Sequence, residues 1–247
     1  MSRNTKTLAV IPARYYSTRF PGKPLTIIAG KSMIQHVWER AMMVDSVDEV
    51  IVATDDQRIL DTVNKFGGKA ILTSREHKTG TDRIVEVISK VSCEWVINIQ
   101  GDEPLVVAAD LERLIVNTHK TKGAKVSTLI HKITNKSMLH NPNIVKVVLD
   151  KKQQALYFSR SLIPYTRSQK VGNFPIWRHL GVYLFHRDFL LQFHQWPQSL
   201  LEKTEQLEQL RILENGESLL CVESDHNSIG VDVPSDVAYV EKIINEQ

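Results

Sequence analysis

Three cationic side chains near the start of the chain have a spacing that indicates phosphate binding. Arg14, Arg19 and Lys23 lie in V-I-P-A-R-Y-Y-S-T-R-F-P-G-K-P-L, which covers residues 10–25. A triphosphate must have its negative charge compensated before a nucleophile can attack it, and guanidinium and ammonium groups supply that compensation. The stretch therefore predicts a nucleotide site, with an ordinary solvated basic loop as the alternative. It matches neither G-x-x-x-x-G-K-[ST] nor G-x-G-x-x-G, which removes the main support for those two loop types.

Two aspartates much further along the chain are candidate metal ligands. Asp102 lies in Q-G-D-E-P, just after an apolar run, and Asp232 lies in G-V-D-V-P, just before a predicted helix. Mg²⁺ takes one or two protein carboxylates and completes its octahedron with phosphate oxygens and water. If the two acids face the three loop cations, together they predict a magnesium–triphosphate site. Each acid alone could instead be a turn or helix cap. For Asp55 and Asp56, an acidic pair before a helix, capping is the favoured interpretation.

The elements that must position these side chains are strands alternating with helices. An opening strand at 8–11 ends at Pro12, and apolar residues at helical spacing follow at 34, 37, 38, 41 and 42. Further strands are predicted at 49–54, 69–72, 95–99 and 126–131, with amphipathic helices between them. This alternation predicts an α/β fold, a three-layer α/β/α Rossmann-like arrangement on a parallel sheet. The site is expected at the carboxyl ends of the strands.

The pattern changes after about residue 135. Apolar runs at 145–149 and 155–158 are joined by a short polar connection, which predicts a hairpin, and another strand is predicted at 180–185. We interpret residues 135–190 as a mixed-sheet extension embedded in a single domain, 1–247. A helix bearing Leu200, Leu207, Leu210 and Leu213, a strand at 219–223 and a last helix beginning at Pro234 complete the prediction.

Composition bounds the function classes. The 247 residues are 42% hydrophobic and 24% charged, with a formal net charge of +3. This is typical of a globular protein that binds small anions, and the absence of a lysine block argues against a nucleic-acid partner. No apolar run is long enough to span a membrane and no signal peptide is visible, so we expect a soluble cytoplasmic protein. Cys93 and Cys221 lack metal or redox spacing and are expected to be buried free thiols.

Several segments of the sequence, occurring in the same order, resemble those of the bacterial cytidylyltransferases that activate 3-deoxy-manno-octulosonate (Kdo). The basic loop resembles the family's nucleotide-binding signature. It is followed in order by H-K-T-G-T-D-R (77–83), N-I-Q-G-D-E-P (98–104), A-L-Y-F-S-R (155–160), R-H-L-G-V-Y (178–183), L-E-Q-L-R (207–211) and G-V-D (230–232). These segments span nearly the whole chain.

The resemblance implies a nucleotidyltransferase fold and the reaction CTP + Kdo → CMP-Kdo + pyrophosphate, dependent on magnesium. The sugar's anomeric hydroxyl would attack the α-phosphorus, so catalysis would be alignment and charge neutralisation. It also implies a homodimer built through residues 135–190, and a role in lipopolysaccharide biosynthesis in the cytoplasm.

The resemblance also implies roles for matched residues. The expected catalytic residues are Arg14, Lys23, Asp102 and Asp232, the last two as metal ligands. The expected nucleotide-binding residues are Ala13, Arg14, Arg19, Lys23, Ser74, Thr79, Arg83 and Gln100. The expected sugar-binding residues are Gln100, Arg160, His179, Tyr183, Glu208 and Gln209. Arg160 would pair with the sugar carboxylate because its fork binds two oxygens, whereas His179 and Tyr183 could instead be structural.

Two departures from the family pattern leave the sugar open. Tyr165 stands where a tryptophan is common, and Asn215 where an aromatic residue is common. An 8-amino relative of Kdo or a sialic acid therefore remains an alternative substrate. A module that senses nucleotides without turnover, or a nucleotide hydrolase, is the alternative outside this reaction class. The five charged residues of the phosphate and metal positions argue against the sensing module.

Overall fold

A mixed nine-stranded sheet forms the centre of the computed structural model, which describes residues 6–16, 20–167 and 174–246. The strands are β1 (Thr7–Ala13), β2 (Ile27–Ile28), β3 (Lys31–Ser32), β4 (Glu49–Thr54), β5 (Lys69–Leu72), β6 (Trp95–Asn98), β7 (Val126–Lys132), β8 (Lys146–Leu149), β9 (Ala155–Ser159), β10 (Trp177–His186) and β11 (Leu220–Glu223). The main path is β11-β7-β10-β6-β1-β4-β5, with β8 and β9 joined to β10, while β2 and β3 form a separate ribbon. Neighbours β6, β1, β4 and β5 are parallel, so their carboxyl ends meet at one edge.

Helices cover both faces of this sheet. They are α1 (Met33–Met42), α2 (Gln57–Lys65), α3 (Gly80–Lys90), α4 (Ala108–Lys120), α5 (Arg187–Gln195), α6 (Leu200–Glu205), α7 (Leu210–Glu214) and α8 (Ser235–Asn245). In β1, Ala9 and Ile11 pack in one core with α1, α2 and α4, whereas Leu8 and Val10 pack in the other with α3, α5 and α7. This period of two is what a strand buried on both faces requires. The predicted three-layer α/β/α fold is confirmed, and among the described residues no helix is both long and apolar enough to cross a bilayer.

The first strand does not end at Pro12, as the sequence predicts, but continues to Ala13. Val10 accepts a hydrogen bond from the Ile99 amide at 3.1 Å, and the pairing of β1 with β6 ends at Val10 and Asn98. Pro12 lies two residues beyond that last pair, so its backbone nitrogen points to the same side of the strand as that of Val10, towards β6. Its missing N–H therefore leaves no ladder bond unmade.

The last strand of the 135–190 segment is not part of an extension lying against the main domain. β10 runs through the middle of the main sheet, antiparallel to β6 and β7, with Tyr183 opposite both Asn98 and Thr128. Only the predicted hairpin, β8 with β9, extends from the sheet, where Lys146 pairs with Arg178 at the start of β10. An apolar run gives the period of a strand but not its position in a sheet, which long-range pairing decides.

The single helix predicted across residues 200–213 is two short helices. Gln206 has a φ of 54° and ends α6, and α7 begins four residues later. A buried ion pair crosses the break, because Arg211 Nε and a terminal guanidinium nitrogen donate to Glu202 Oε2 and Oε1 at 2.8 and 2.9 Å. The leucine spacing continues through the break, which is why periodicity alone predicts one helix.

Candidate active site

A cavity of about 340 Å³ opens at the edge where the parallel strands end. It lies between the loop after β1, the loop after β6 and the start of α3. Its lining residues are Pro12, Ala13, Arg14, Lys23, Pro24, His77, Lys78, Thr79, Gly80, Arg83, Gln100, Gly101 and Asp102. Carboxyl ends of parallel strands are the usual position of ligand sites in such sheets, so the cavity lies where the sequence predicts the site.

Close packing of two loops forms one wall of the cavity. Gly101, after β6, lies so near the end of β1 that an added Cβ would be 2.8 Å from the Pro12 carbonyl oxygen. Because that oxygen belongs to the backbone, a side chain at 101 would force the loops apart. Glycine at this position therefore places Ala13 and Asp102 on the same wall.

The start of α3 forms a second wall. Thr79 caps the helix, since its Oγ1 accepts from the Asp82 amide at 3.1 Å while its own amide donates to Asp82 Oδ2 at 3.0 Å. Thr79 and Gly80 line the cavity, so the positive end of the helix dipole faces it. Exposed amides and this dipole favour an anionic ligand.

A lysine joins the two distant acidic segments beside the cavity. Lys23 Nζ donates to Asp102 Oδ2 at 2.5 Å and to the Val231 carbonyl at 2.9 Å. The Val231 amide in turn donates to the Asp102 carbonyl at 2.9 Å. The backbone at Asp232 is thereby held next to Asp102, although 130 positions separate them. Lys23 and Asp102 line the cavity, and the exposed Asp232 follows Val231 directly beside them, although it is not itself a lining residue.

Glu103 is a further acid at this cleft that sequence reasoning missed. Burial, reinforced by the nearby Asp102 and Asp232 carboxylates, raises the pKa of Glu103 to about 7. Its Oε2 accepts from Ser228 Oγ at 3.2 Å, which ties it to the loop that carries Asp232. The signal was present in the sequence, because Glu103 follows Asp102 in the same Q-G-D-E-P segment.

The donor set at this cleft fits a magnesium ion that is shared with phosphate. No three His, Cys, Asp or Glu side chains of residues 6–16, 20–167 and 174–246 come together to enclose a metal. Mg²⁺ does not need such an enclosure, because it uses one or two carboxylates, water and phosphate oxygens. The Lys23 ammonium group lies between Asp102 and the Val231 carbonyl, so a cation already occupies part of this negative environment.

Some, but not all, of the other predicted nucleotide-binding residues line the cavity. Arg14 and Gln100 line the cavity, whereas Arg19 falls outside the described residues. Arg83 lines it too, but its guanidinium group donates to Asp55 Oδ2 at 3.0 Å and to Thr73 Oγ1 at 2.5 Å. Ser74 is exposed and is not among the lining residues.

The acids before α2 have separate roles. Asp56 caps α2, because its Oδ1 accepts from the Arg58 amide at 3.0 Å. Asp55 instead pairs with the buried Arg83, so capping, the favoured interpretation for both, describes only Asp56. An acidic pair before a helix does not reveal which acid has a distant partner.

His77 and Lys78 line the cavity without having been predicted individually. His77 Nε2 lies 2.6 Å from Glu86 Oε2, about two helical turns further along α3 than the Thr79 cap. Lys78 precedes the cap and adds a cationic residue to the same wall. Both belong to the H-K-T-G-T-D-R segment, which was the available signal.

His179 is held in one orientation behind the cavity. Thr128 Oγ1 lies 3.0 Å from His179 Nε2 and 2.7 Å from the Val182 carbonyl. Because a carbonyl only accepts, Thr128 donates its single proton to it and accepts from Nε2–H, leaving Nδ1 as the acceptor of a neutral ring. Burial, and then the nearby Arg178, lower the pKa of His179 to about 3, which keeps the ring neutral.

Tyr183, Glu208 and Gln209 form a second polar group, in which Gln209 is buried and the other two are half-buried. Glu208 Oε2 accepts from Thr81 Oγ1 at 2.6 Å, and its Oε1 accepts from Arg211 at 3.2 Å. Burial raises the pKa of Glu208, and burial followed by the Glu208 charge raises the pKa of Tyr183. Gln209 is 5% exposed, and its Nε2 has no hydrogen-bond partner among the described residues. A buried amide donor of this kind fits a ligand oxygen.

Arg160 is not placed to receive a sugar carboxylate with a free guanidinium group. Its Nε and two terminal nitrogens donate to the backbone carbonyls of Glu205, Pro142 and Gln206, at 2.7, 3.0 and 3.3 Å. Arg160 does not line the cavity. Its sugar-binding role therefore stays a prediction, and the structure gives it a structural one.

Gln100 links the cavity to the sugar-side residues. Its Nε2 donates to the Gly181 carbonyl in β10 at 3.2 Å, two residues from His179 and from Tyr183. The same residue lines the cavity. Gln100 thus lies at the boundary for which both a nucleotide and a sugar contact are predicted.

Comparison with known proteins gives a consistent result. The family model described as "Cytidylyltransferase" matches residues 8–219. A 3-deoxy-manno-octulosonate cytidylyltransferase of Geobacter sulfurreducens is 45% identical over 96% of this chain and 98% of its own, and one of Fusobacterium nucleatum is 47% identical over 98% of each. The structure of CMP:2-keto-3-deoxy-manno-octonic acid synthetase complexed with CTP has a TM-score of 0.93 and 44% identity, and covers 98% of this chain and 99% of its own.

A more distant structure supports the fold alone. The 4-diphosphocytidyl-2C-methyl-D-erythritol synthase of Anaerococcus prevotii has a TM-score of 0.66 at 13% identity, over 98% of this chain and 96% of its own. The identity of the nearer relatives over almost their full length decides the family. The chain belongs to the 3-deoxy-manno-octulosonate cytidylyltransferase family.

Proposed function

We propose that this chain transfers CMP from CTP to the anomeric hydroxyl of Kdo, giving CMP-Kdo and pyrophosphate. The observation that carries the proposal is the junction of Lys23, Asp102 and the Val231–Asp232 backbone beside a cavity lined by cations. The relatives' names and the CTP complex of the similar structure supply the substrates.

The chain's own residues bind and align the nucleotide. Arg14 and Lys23 compensate the triphosphate charge from one wall of the cavity, and the amides at the start of α3 face it from the other. Because this transfer needs no covalent intermediate on the protein, fixed charges and alignment account for most of the rate. Lys23 is held at the edge of the cavity by Asp102 and Val231, and it exchanges part of this pairing for phosphate when Asp102 binds the metal.

The metal dependence is part of the proposal. Asp102 and Asp232 would hold Mg²⁺, with Glu103 behind them. When bound, Mg²⁺ neutralises phosphate charge and orients the reacting oxygens. Support for this assignment comes from the three carboxyl groups that meet here, since Asp102 and Asp232 both lie near enough to Glu103 to add to the effect of burial on its pKa.

The acid sugar would bind between Gln100 and the polar group formed by Tyr183 on β10 and by Glu208 and Gln209 just before α7. Its hydroxyls can donate to His179 Nδ1 and to Glu208, and its oxygens can accept from Gln209 Nε2. The unpartnered Gln209 amide supports this position. A neutral His179 fits a hydrogen-bond acceptor rather than a cationic partner for the carboxylate.

Turnover with a panel of acceptors tests the proposal. Purified protein is given CTP, Mg²⁺ and one of Kdo, 8-amino-Kdo or sialic acid, and pyrophosphate release is followed. We expect release with Kdo and its loss when EDTA is added. Release with sialic acid alone would contradict the sugar assignment, phosphate release without an acceptor would indicate a hydrolase, and CTP binding without turnover would indicate a sensing module.

We also propose that the chain acts as a homodimer in the cytoplasm and supplies activated sugar for lipopolysaccharide synthesis. Support for the dimer comes from apolar side chains exposed within residues 135–190, namely Leu156 (61%), Tyr165 (89%) and Phe174 (55%). Exposed large apolar side chains are typical of contact surfaces when they are contiguous. Sedimentation equilibrium tests this: a mass near 28 kDa rather than twice that value would contradict the dimer.

A further inference from the structure

A hydrogen bond between two side chains joins the start of α3, on the nucleotide side of the molecule, to an acid on the sugar side. Thr81 Oγ1 donates to Glu208 Oε2 at 2.6 Å, between residues 127 positions apart. Thr81 is buried, and its hydroxyl approaches Glu208 from the first turn of α3. The bond therefore connects two separate elements rather than stabilising either one internally.

On the nucleotide side, Thr81 belongs to a turn with fixed geometry. Thr79 and Gly80 line the cavity immediately before it, and Asp82 closes the capping box immediately after it. Asp82 is held again from outside, because His194 Nδ1 lies 3.3 Å from its Oδ1. Any shift of this turn when a nucleotide binds would move the Thr81 hydroxyl.

On the sugar side, Glu208 has one other strong restraint. Arg211 donates to Glu208 Oε1 at 3.2 Å and is itself held by Glu202 through two hydrogen bonds. The Arg211 guanidinium group also lies 4.5 Å from the centre of the Phe193 ring. Arg211 therefore fixes one carboxylate oxygen from the protein interior, and Thr81 fixes the other from the nucleotide side.

The residue next to Glu208 marks this turn as a ligand contact. Gln209 Nε2 is buried and has no partner among the described residues, so its amide donor is available to an incoming oxygen. Its position follows that of Glu208, because the two are adjacent at the start of α7. Movement of the Glu208 carboxylate would displace this donor.

We propose that Thr81 is a positioning residue that couples the two substrate sites, so that an ordered nucleotide wall holds the Glu208–Gln209 turn ready for the acid sugar. This rests on the proposed function, which supplies the two substrates. The coupling is reciprocal: each substrate raises the affinity for the other through the same bond. Without the Thr81 hydroxyl, Glu208 Oε2 loses its protein donor while the side chain stays partly buried, and the turn loses its fixed position.

Two substitutions at one position separate coupling from simple stability. Thr81→Val removes the hydroxyl but keeps the shape, and Thr81→Ser keeps the hydroxyl. Thr118→Val is the matched control, because Thr118 is also a buried threonine with a hydrogen-bonded hydroxyl. That hydroxyl bonds to the Leu114 carbonyl at 2.6 Å and to Ser127 Oγ at 2.5 Å. Thr118 belongs to α4, which packs on the opposite face of the sheet from α3.

We expect Thr81→Val to raise KM for Kdo at saturating CTP about tenfold and, because the coupling is reciprocal, to raise KM for CTP at saturating Kdo by a similar factor. The Kd for CTP measured without Kdo should change less than about twofold. Thr81→Ser should restore KM for Kdo to within about threefold of the wild type. Thr118→Val should leave both KM values unchanged while lowering the melting temperature. A methylene analogue of CTP that cannot be cleaved should raise Kdo affinity in the wild type and much less in Thr81→Val, as titration calorimetry measures.

Several results would overturn the coupling. Unchanged KM for Kdo in Thr81→Val, about tenfold weaker binding of CTP in the absence of Kdo, or no rescue by Thr81→Ser would each contradict it. If Thr81→Val does not fold, Thr81→Ala provides the same comparison with Thr81→Ser. Failure of the wild type to turn over CTP with Kdo would instead contradict the proposed function, so the two failures are distinguishable.

Discussion

The two sides of the site differ in how their charges are used. On the nucleotide side, Arg14, Lys23 and Lys78 line an open cavity at a sheet edge. On the sugar side, His179 and Glu208 are half-buried and already bonded to Thr128, Thr81 and Arg211. The first side offers surface charge to a polyanion, and the second offers a few oriented polar atoms.

This difference reflects what each ligand requires. A triphosphate is bound by electrostatic attraction, which tolerates small displacements of long cationic side chains. A polyhydroxylated acid is selected by hydrogen bonds whose buried partners are costly to leave unmatched. We therefore expect charge changes to dominate on the nucleotide side, and changes in hydrogen bonding and protonation to dominate on the sugar side.

Removing one metal-site carboxylate should give the largest effect. Asp102→Asn or Asp232→Asn is expected to lower kcat at least ~10²-fold, because metal placement contributes several kcal/mol to the transition state. Circular dichroism should show an intact fold. Asp225→Asn is the control, since Asp225 is an exposed acid on the same loop that pairs with Arg113. Near-normal turnover in Asp102→Asn or Asp232→Asn would show that the carboxylate charge at that position is not needed for catalysis.

The burial of the sugar side predicts a pH-dependent stability. Folded His179 stays neutral because its pKa is lowered to about 3, whereas the unfolded chain takes up a proton below its ordinary value of 6.5. Unfolding then binds a proton, so the free energy of unfolding falls as pH falls through 6.5 towards 3. Between pH 7.5 and 5 the wild type should lose about 2 kcal/mol more than His179→Gln.

Urea unfolding at the two pH values measures this difference. Groups other than His179 contribute equally to both proteins, so the comparison isolates the ring. An equal loss in wild type and His179→Gln would mean that His179 titrates normally. The sugar side would then be as open to water as the nucleotide side.

A smaller effect should follow from separating the two loops of the nucleotide wall. Gly101→Ala would place a Cβ 2.8 Å from the Pro12 carbonyl oxygen, so the backbone must shift. We expect kcat/KM for CTP to fall about tenfold, in line with the cost of a small misplacement. At Gly230 an added Cβ would lie 3.5 Å from the Asp102 carbonyl oxygen, an ordinary contact, so Gly230→Ala should have the smaller effect. The reverse order would contradict the geometry of this wall.

The sequence predicts the nucleotide side better than the sugar side for a physical reason. The basic loop, the α3 start and the Q-G-D-E-P loop are contiguous segments, and a parallel sheet brings strand ends together. The Arg160 side chain, by contrast, donates to carbonyls from two separate segments, and Asp55 is bound by Arg83. Such long-range partners leave no local pattern. The same limit explains the central position of β10 and the helix break at Gln206.

A crystal structure with CTP and Mg²⁺ tests the central claim most directly. The account predicts the triphosphate against Arg14 and Lys23, with the metal between Asp102 and Asp232 and the α-phosphate facing Gln100. A nucleotide bound outside this cavity, or a metal that contacts neither aspartate, would contradict it.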